Sequence, residues 1–276
     1  MTVITHDFYP LILCVVLSGI VVEEIPGADD RDSPRVRQTV ETLPGEVAAK
    51  TDNLNDKFWL YLPGRYAEAE EKLPLIIYLH GSSRRGKEIE SVKANGLPPL
   101  LDTKDDFEFV VASPQALAKY PWQQCWRPDD LIMLLDHLLR NYRIDPDRVY
   151  LTGLSMGGYG TWAAIAKHAD RFAAAVPICG GGDPEWGKSI GDLPVHAYHG
   201  EADRIVPVER SIEMVDSVKE AGGNAELTVY PNVGHDSYTR TYANPDLYQW
   251  LLKQVRSKSK EKSLPVRLRR AGSVPH

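Results

Sequence analysis

The sequence predicts an α/β domain built on a mostly parallel sheet with helices on both faces, and three observations carry that prediction. The chain has 276 residues, 43% hydrophobic and 25% charged, which are ordinary globular proportions and enough length for one large domain with a full core. Continuous apolar runs of strand length, such as Leu73–Leu79 (LPLIIYL), read as strands buried on both faces. These runs alternate with segments of helical spacing, the pattern of parallel strands joined by crossover helices.

In chain order, residues 1–55 are expected to form a leader, 56–256 the domain and 257–276 a tail. Within the leader, residues 11–22 (LILCVVLSGIVV) are apolar throughout but short of the roughly 20 residues that a bilayer span takes. No stable membrane span is therefore expected. The length suits an export signal, so a periplasmic or secreted location is the expectation. A cytoplasmic location is the alternative, because only His6 and Asp7 precede the run where a signal carries Lys or Arg, and no small-x-small cleavage site stands out. Removing the leader would take away Cys14 and leave Cys125 and Cys179, an even count that fits pairing in an oxidising compartment, with two separate thiols as the alternative.

Residues 23–55 are polar, with Pro, Gly and charges, and read as a loose approach to the domain. A strand is expected at 57–62, then at Leu73–Leu79, which ends in HGSSRRG, and then at 107–113 (FEFVVAS). Residues 129–142 (DDLIMLLDHLLRNY) recur with helical spacing behind an acidic start. Strands at 148–152, 173–178, 195–198 and Ala225–Tyr230 then alternate with helices at Met156–His168, 208–221 and 244–255. There is no internal repeat. The stretch 256–276 carries seven Lys/Arg against one Glu, with two prolines and no apolar period, and reads as disordered. Since the whole chain carries −6, the body is strongly acidic, which argues against nucleic acid as a partner.

In open sheets of this kind ligands bind beyond the carboxyl ends of the strands, so chemistry is sought just after each run. There, Gly153-Leu154-Ser155-Met156-Gly157 fits G-x-S-x-G between a strand and a helix, the context of a nucleophile elbow. A serine on so sharp a turn is strained, and the glycines on either side lack the Cβ that would keep strand and helix apart. The competing reading is a glycine-rich helix start without chemistry. A hydroxyl also needs a base held by a third group. Two later strand ends supply both, since YHGEADRIVP places Asp203 after one strand and YPNVGHDSY places His235 after another. The order Ser155, Asp203, His235 is that of a hydrolase on an α/β sheet.

Other residues are weaker candidates. Asp236 adjoins His235 and is expected to cap a helix or face solvent, while Glu201 and Asp192 are backup acids. His137, His168 and His196 fall inside predicted elements, where packing roles are commoner, and no set of them has metal-ligand spacing. For an oxyanion, the backbone N–H of Met156 is one donor, and the second is expected from the N–H of Ser82, with Gly81 allowing close approach. An ordinary strand-to-helix turn is the competing reading of HGSSRRG.

Together, LHGSSRRG, GLSMGGYGTW, RFAAAVPICGGGD, HGEADRIVPV and YPNVGHDSY resemble the α/β-hydrolase superfamily from about residue 57 to 255. Within it they are most similar to small carboxylesterases related to feruloyl esterases, polyhydroxybutyrate depolymerases and dienelactone-hydrolase-like proteins. The resemblance implies a Ser155–His235–Asp203 ester hydrolase that forms an acyl-enzyme and uses no cofactor or metal. Ser83 stands where many relatives have the second glycine of H-G-x-G, which leaves the second oxyanion donor open. Dienelactone hydrolases themselves use a cysteine nucleophile, so Ser155 argues against that specific activity.

The connection CGGGDPEWGKSIGDL is too short for a lid domain, so the site is expected to be open, with Trp122, Trp126 and Trp186 from strand-end loops offering apolar contact surfaces. Core packing is the competing reading for each and the preferred one for Trp162. Such a cleft suits short-chain or aromatic acyl esters, on a small molecule or a polysaccharide. Two alternatives are kept: a serine peptidase-like hydrolase of the prolyl oligopeptidase-related group, although no room exists for a propeller domain, and a non-catalytic binding protein of the same fold.

Overall fold

The structure, a computed structural model, describes residues 38–104 and 107–256. The apolar segment 11–22, Cys14 and the basic tail 257–276 lie outside the described residues. Among the described residues eight strands form one sheet: β1 (Gln38–Thr42), β2 (Leu54–Tyr61), β3 (Leu73–Leu79), β4 (Val110–Ala116), β5 (Ile144–Leu154), β6 (Ala174–Ile178), β7 (Val195–Gly200) and β8 (Ala225–Tyr230). Their spatial order is β1-β2-β4-β3-β5-β6-β7-β8. Only β2 runs against its neighbours, and every pair from β4 across to β8 is parallel, as the alternation of runs predicts.

The helices are α1 (Gly45–Ala48), α2 (Pro98–Leu101), α3 (Pro128–Asn141), α4 (Met156–His168), α5 (Gly187–Ile190), α6 (Glu209–Glu220), α7 (Ser237–Ala243) and α8 (Pro245–Leu252). They divide between the faces because β3 is apolar at every position. Leu75, Ile77 and Leu79 enter a core shared with α3, α4, α5 and α6, while Ile76 and Tyr78 enter a second core shared with α2, α7 and α8. Each such Leu or Ile, fully buried, contributes roughly 1.5–3 kcal/mol. In α3, Leu131, Leu134, Leu135 and Leu138 repeat at helical spacing on the buried side, and Pro128 opens the helix at a position that needs no N–H. Between β6 and β7 the chain makes only a short 3₁₀ turn (Pro184–Trp186) and the four-residue α5, so this connection holds no lid domain.

Three differences from the sequence reading have physical causes. The stretch expected to be a loose approach contains β1, α1 and the start of β2. Its polarity misleads because β1 is an edge strand with Thr39 and Thr42 exposed, and because Asn53 and Asn55 are buried through their own hydrogen bonds. Asn53 Nδ2 donates to Leu117 O and Cys125 O, Asn55 Nδ2 to Gln115 Oε1, and the Asp130 carboxylate accepts from the N–H groups of Asp52 and Asn53. Second, β4 runs three residues further than expected, through Pro114. That proline lies beyond the last register pair with β3, Ile77 with Ala112, where a missing N–H breaks no ladder on that side. Third, α7 (SYTRTYA) has β-branched and aromatic residues and little helical periodicity, and was not foreseen.

Candidate active site

The chain leaves β3 toward β4 on one side and returns to β5 on the other, so the crevice at the carboxyl ends of β3 and β5 is the switch point where ligands bind in such sheets. Ser155 stands there, between β5 and α4, with φ 54° and ψ −118°, a conformation that costs about 1–3 kcal/mol and persists only where its surroundings enforce it. Here they do. The Ser155 N–H donates to Ile178 O at 2.9 Å, clamping the turn to β6. A Cβ on Gly153 would sit 2.6 Å from the Gly157 carbonyl carbon and 2.7 Å from Leu79 Cβ, and one on Gly157 would sit 2.6 Å from the Leu79 carbonyl carbon. Only glycines let α4 start so close to β3 and β5. Gly157→Ala is therefore expected to destabilise the fold by about 2–3 kcal/mol through overpacking against backbone that cannot yield. A thermal melt would show a Tm roughly 5–10 °C lower.

From this turn a chain of hydrogen bonds runs inward. His235 Nε2 lies 3.0 Å from Ser155 Oγ, and His235 Nδ1 lies 2.7 Å from Asp203 Oδ2. Asp203 Oδ1 accepts from the N–H groups of Ile205 (2.9 Å) and Val206 (3.0 Å), so both carboxylate oxygens are held. Burial alone would raise the Asp203 pKa, but the bonds from His235, Val206 and Ile205 outweigh it and hold the carboxyl below its usual value. The loops that carry the pair are laced together, with Ala202 N–H donating to Val233 O and Glu201 N–H to Tyr230 O.

Met156 and Ser82 begin helical turns, α4 and a 3₁₀ turn (Ser82–Arg84), so each has an N–H that its own turn leaves unpaired. Gly81 brings the second turn close, its Cβ position lying 3.7 Å from Ser155 Cβ. The Ser82 turn is fixed by residues that the sequence reading passed over. His80, fully buried, donates from Nδ1 to Gly81 O (2.7 Å) and accepts at Nε2 from the Ala116 N–H (3.0 Å). Burial lowers its pKa to about 4, which keeps the ring neutral and this tautomer in place. Arg85 Nε donates to Ser82 O at 3.0 Å. The signal available in the sequence was the histidine that directly follows an all-apolar strand.

The three tryptophans separate. Trp126 is a correction: it is only 4% exposed, its indole N–H donates to His80 O (3.1 Å), and Gly160 packs on its ring, so it supports the Ser82 turn rather than facing a cleft. Trp122 is half-buried, edge-on at 5.1 Å to Tyr159, whose N–H donates to Ser155 O, so it stands beside the serine. Trp186 packs across Gly182 toward Met214. Trp162 is fully buried.

The weaker candidates lie elsewhere. Glu201 accepts from the Asn232 N–H, Asp236 stands at the N-cap position of α7 without a side-chain capping bond, and Asp192 lines a cavity with Phe172, Pro194 and Val255, at the amino ends of β6 and β7. His137 contacts Asn141, His168 pairs with Asp129, and His196 bonds Thr228. Cys125 and Cys179 are separate buried thiols, which corrects the pairing expectation. Cys125 Sγ meets Tyr120 O, whereas Cys179, at φ 40°, lies beside Asp203 and His235. Cys179, Asp203 and His235 each offer a ligand atom within 4.8 Å of the others. Burial, however, pushes the Cys179 thiol up to about 12, and the other two are already bonded to each other. Among the described residues no helix is long and apolar enough to cross a membrane.

This sheet order, with a strained serine at the switch point, defines an α/β-hydrolase. The chain belongs to the dienelactone hydrolase family, whose sequence profile matches residues 114–263. It is 33% identical over 121 residues to poly(3-hydroxyalkanoate) depolymerase C of Paucimonas lemoignei, covering 39% of this chain and 28% of that protein. To the bifunctional acetylxylan esterase/xylanase XynS20E of Neocallimastix patriciarum it is 29% identical over 184 residues, covering 64% and 26%. The chain thus spans little more than a quarter of the length of these two relatives. Among solved structures, a thermostable esterase superposes with a TM-score of 0.66 at 31% identity, covering 80% of this chain and 64% of that one.

Proposed function

We propose that the protein is a serine carboxylesterase that cleaves short-chain or aromatic acyl esters through an acyl-enzyme, with Ser155 as nucleophile, His235 as base and Asp203 as acid. The observation that carries this reading is the continuous bond chain from Asp203 through His235 to a serine held at positive φ. Asp203 fixes the proton of His235 on Nδ1, which leaves Nε2 free to take the Ser155 proton as Oγ attacks the ester carbonyl. The oxyanion that forms is received by the N–H groups of Met156 and Ser82, held in place before substrate arrives by α4 and by His80, Arg85 and Trp126. His235 then gives its proton to the departing alcohol, and water repeats the cycle on the acyl-serine.

The short β6–β7 connection and the half-buried Trp122 beside Tyr159 support an open site with one aromatic wall. Relatives named as an acetylxylan esterase and a polyhydroxyalkanoate depolymerase agree with acyl groups carried on large alcohols or polymers. The test is a chain-length series of p-nitrophenyl esters beside methyl ferulate, acetylated xylan and a small peptide substrate. Fastest turnover is expected on acetyl to butyryl or hydroxycinnamoyl esters, without a rise in activity when substrate forms an interface. Preference for acyl chains of about twelve carbons or more would overturn the small apolar pocket on which the reading rests. Faster cleavage of the peptide would favour the peptidase alternative, and no turnover of any ester the binding-protein one.

A further inference from the structure

Asp203 has a second imidazole beside it. His199, near the end of β7, is completely buried, and its Nε2 lies 3.3 Å from Asp203 Oδ2, the same oxygen that receives His235 Nδ1. That Nε2 is also 2.9 Å from Val206 O, and Nδ1 is 2.7 Å from Ser211 Oγ on α6. The proton positions follow from these partners. Burial lowers the His199 pKa, so the ring carries one proton. Val206 O and the carboxylate can only accept, which puts that proton on Nε2. Nδ1 must then accept, and Ser211, whose hydroxyl reaches both the ring and Gly180 O (3.1 Å), gives its proton to the shorter bond.

We propose that His199 is a positioning residue for the acid: its Nε2–H, donated to Val206 O, stands 3.3 Å from Asp203 Oδ2 and draws part of the carboxylate's charge away from His235. The inference rests on Asp203 being the acid of the proposed triad. Asp203 Oδ1 is held by two backbone N–H groups and Oδ2 by His235, with the His199 Nε2–H 3.3 Å from the same oxygen, so the carboxylate stays turned toward His235. The titratable groups that interact with the His199 ring are Asp203 and His235, while Ser211 from α6, Gly180 after β6 and Val206 supply uncharged contacts. Removing the His199 donor concentrates the Oδ2 charge on His235, which favours the protonated base and moves the acid limb of the pH–rate profile upward.

The experiment compares the pH profiles of kcat and kcat/KM for p-nitrophenyl acetate hydrolysis by the full chain, His199→Leu and His199→Gln, with Tm measured for each. His199→Leu is expected to lower kcat about tenfold with KM within about twofold of wild type, the sign of an interaction used in the reaction rather than in binding. Its acid limb is expected to rise by about half a pH unit or more. His199→Gln, whose side-chain amide places a donor at about the distance of Nε2, is expected to restore both. A merely structural role would lower Tm while leaving kcat and the acid limb of the folded protein as in wild type, and that result overturns the proposal. Should His199→Leu fail to fold, ¹⁵N-histidine NMR of the wild type decides. A neutral His199 protonated on Nε2 throughout the active pH range supports the proposal, and a proton on Nδ1 overturns it. Failure of the triad reading itself is separately visible, as full activity in Asp203→Asn.

Discussion

Ser155→Ala is expected to lower kcat on p-nitrophenyl acetate by about 10⁴ to 10⁶-fold while leaving Tm near that of wild type. The loss follows from the absence of any other hydroxyl on His235 Nε2 among its hydrogen bonds in the described residues. The retained stability follows from size and place. One oxygen is removed at the carboxyl end of β5, the Ser155 N–H keeps its bond to Ile178 O, and the positive φ is enforced by neighbours rather than by the side chain. Activity within tenfold of wild type in the purified variant would remove Ser155 from the mechanism.

The second large effect is Asp203→Asn, expected to cost about 10⁴-fold in kcat through the tautomer of His235 rather than through lost charge alone. The backbone N–H groups of Ile205 and Val206 both donate to Oδ1, so an asparagine is driven to put its amide oxygen there. Its NH₂ then faces His235 Nδ1, which must become an acceptor. The ring proton moves to Nε2, and Nε2 can no longer take a proton from Ser155. The same NH₂ also meets the His199 Nε2–H, so some loss of Tm is expected beside the loss of rate. Steady-state kinetics of Asp203→Asn beside Asp192→Asn and Glu201→Gln checks this. An equal loss in either of the latter would move the acid role, against their positions at the far end of the sheet and on the Asn232 N–H.

Which parts of this arrangement could be read from the sequence depends on how local their cause is. The strands β3 and β8 and the helix α4 coincide with the expected segments, because each is set by an apolar run or by glycines whose effect is confined to their neighbours. The positions of Ser155, Asp203 and His235 could be named because each follows such a strand, and the fold brings three strand ends together whatever lies between. What escaped depends on partners distant in sequence. Asn53 and Asp130 look like surface residues until their bonds to Cys125 O and to the N–H groups of Asp52 and Asn53 are seen. Trp126 reads as a cleft residue from its loop, and only its contact with His80 and Gly160 places it underneath. His80 and His199 resemble ordinary strand residues, and their roles come from a carbonyl, an N–H and a carboxylate on other segments.

The central claim is that an acyl group passes through Ser155, and the most direct measurement is intact-protein and peptide mass spectrometry during turnover of p-nitrophenyl acetate with acid quench. The account predicts one acetyl adduct per chain, on the peptide containing Ser155, absent from Ser155→Ala and accumulating in His235→Ala only at a much lower rate. An adduct on Cys179, which lies beside the same acid and base, or steady turnover with no adduct while Ser155→Ala keeps its activity, would contradict it.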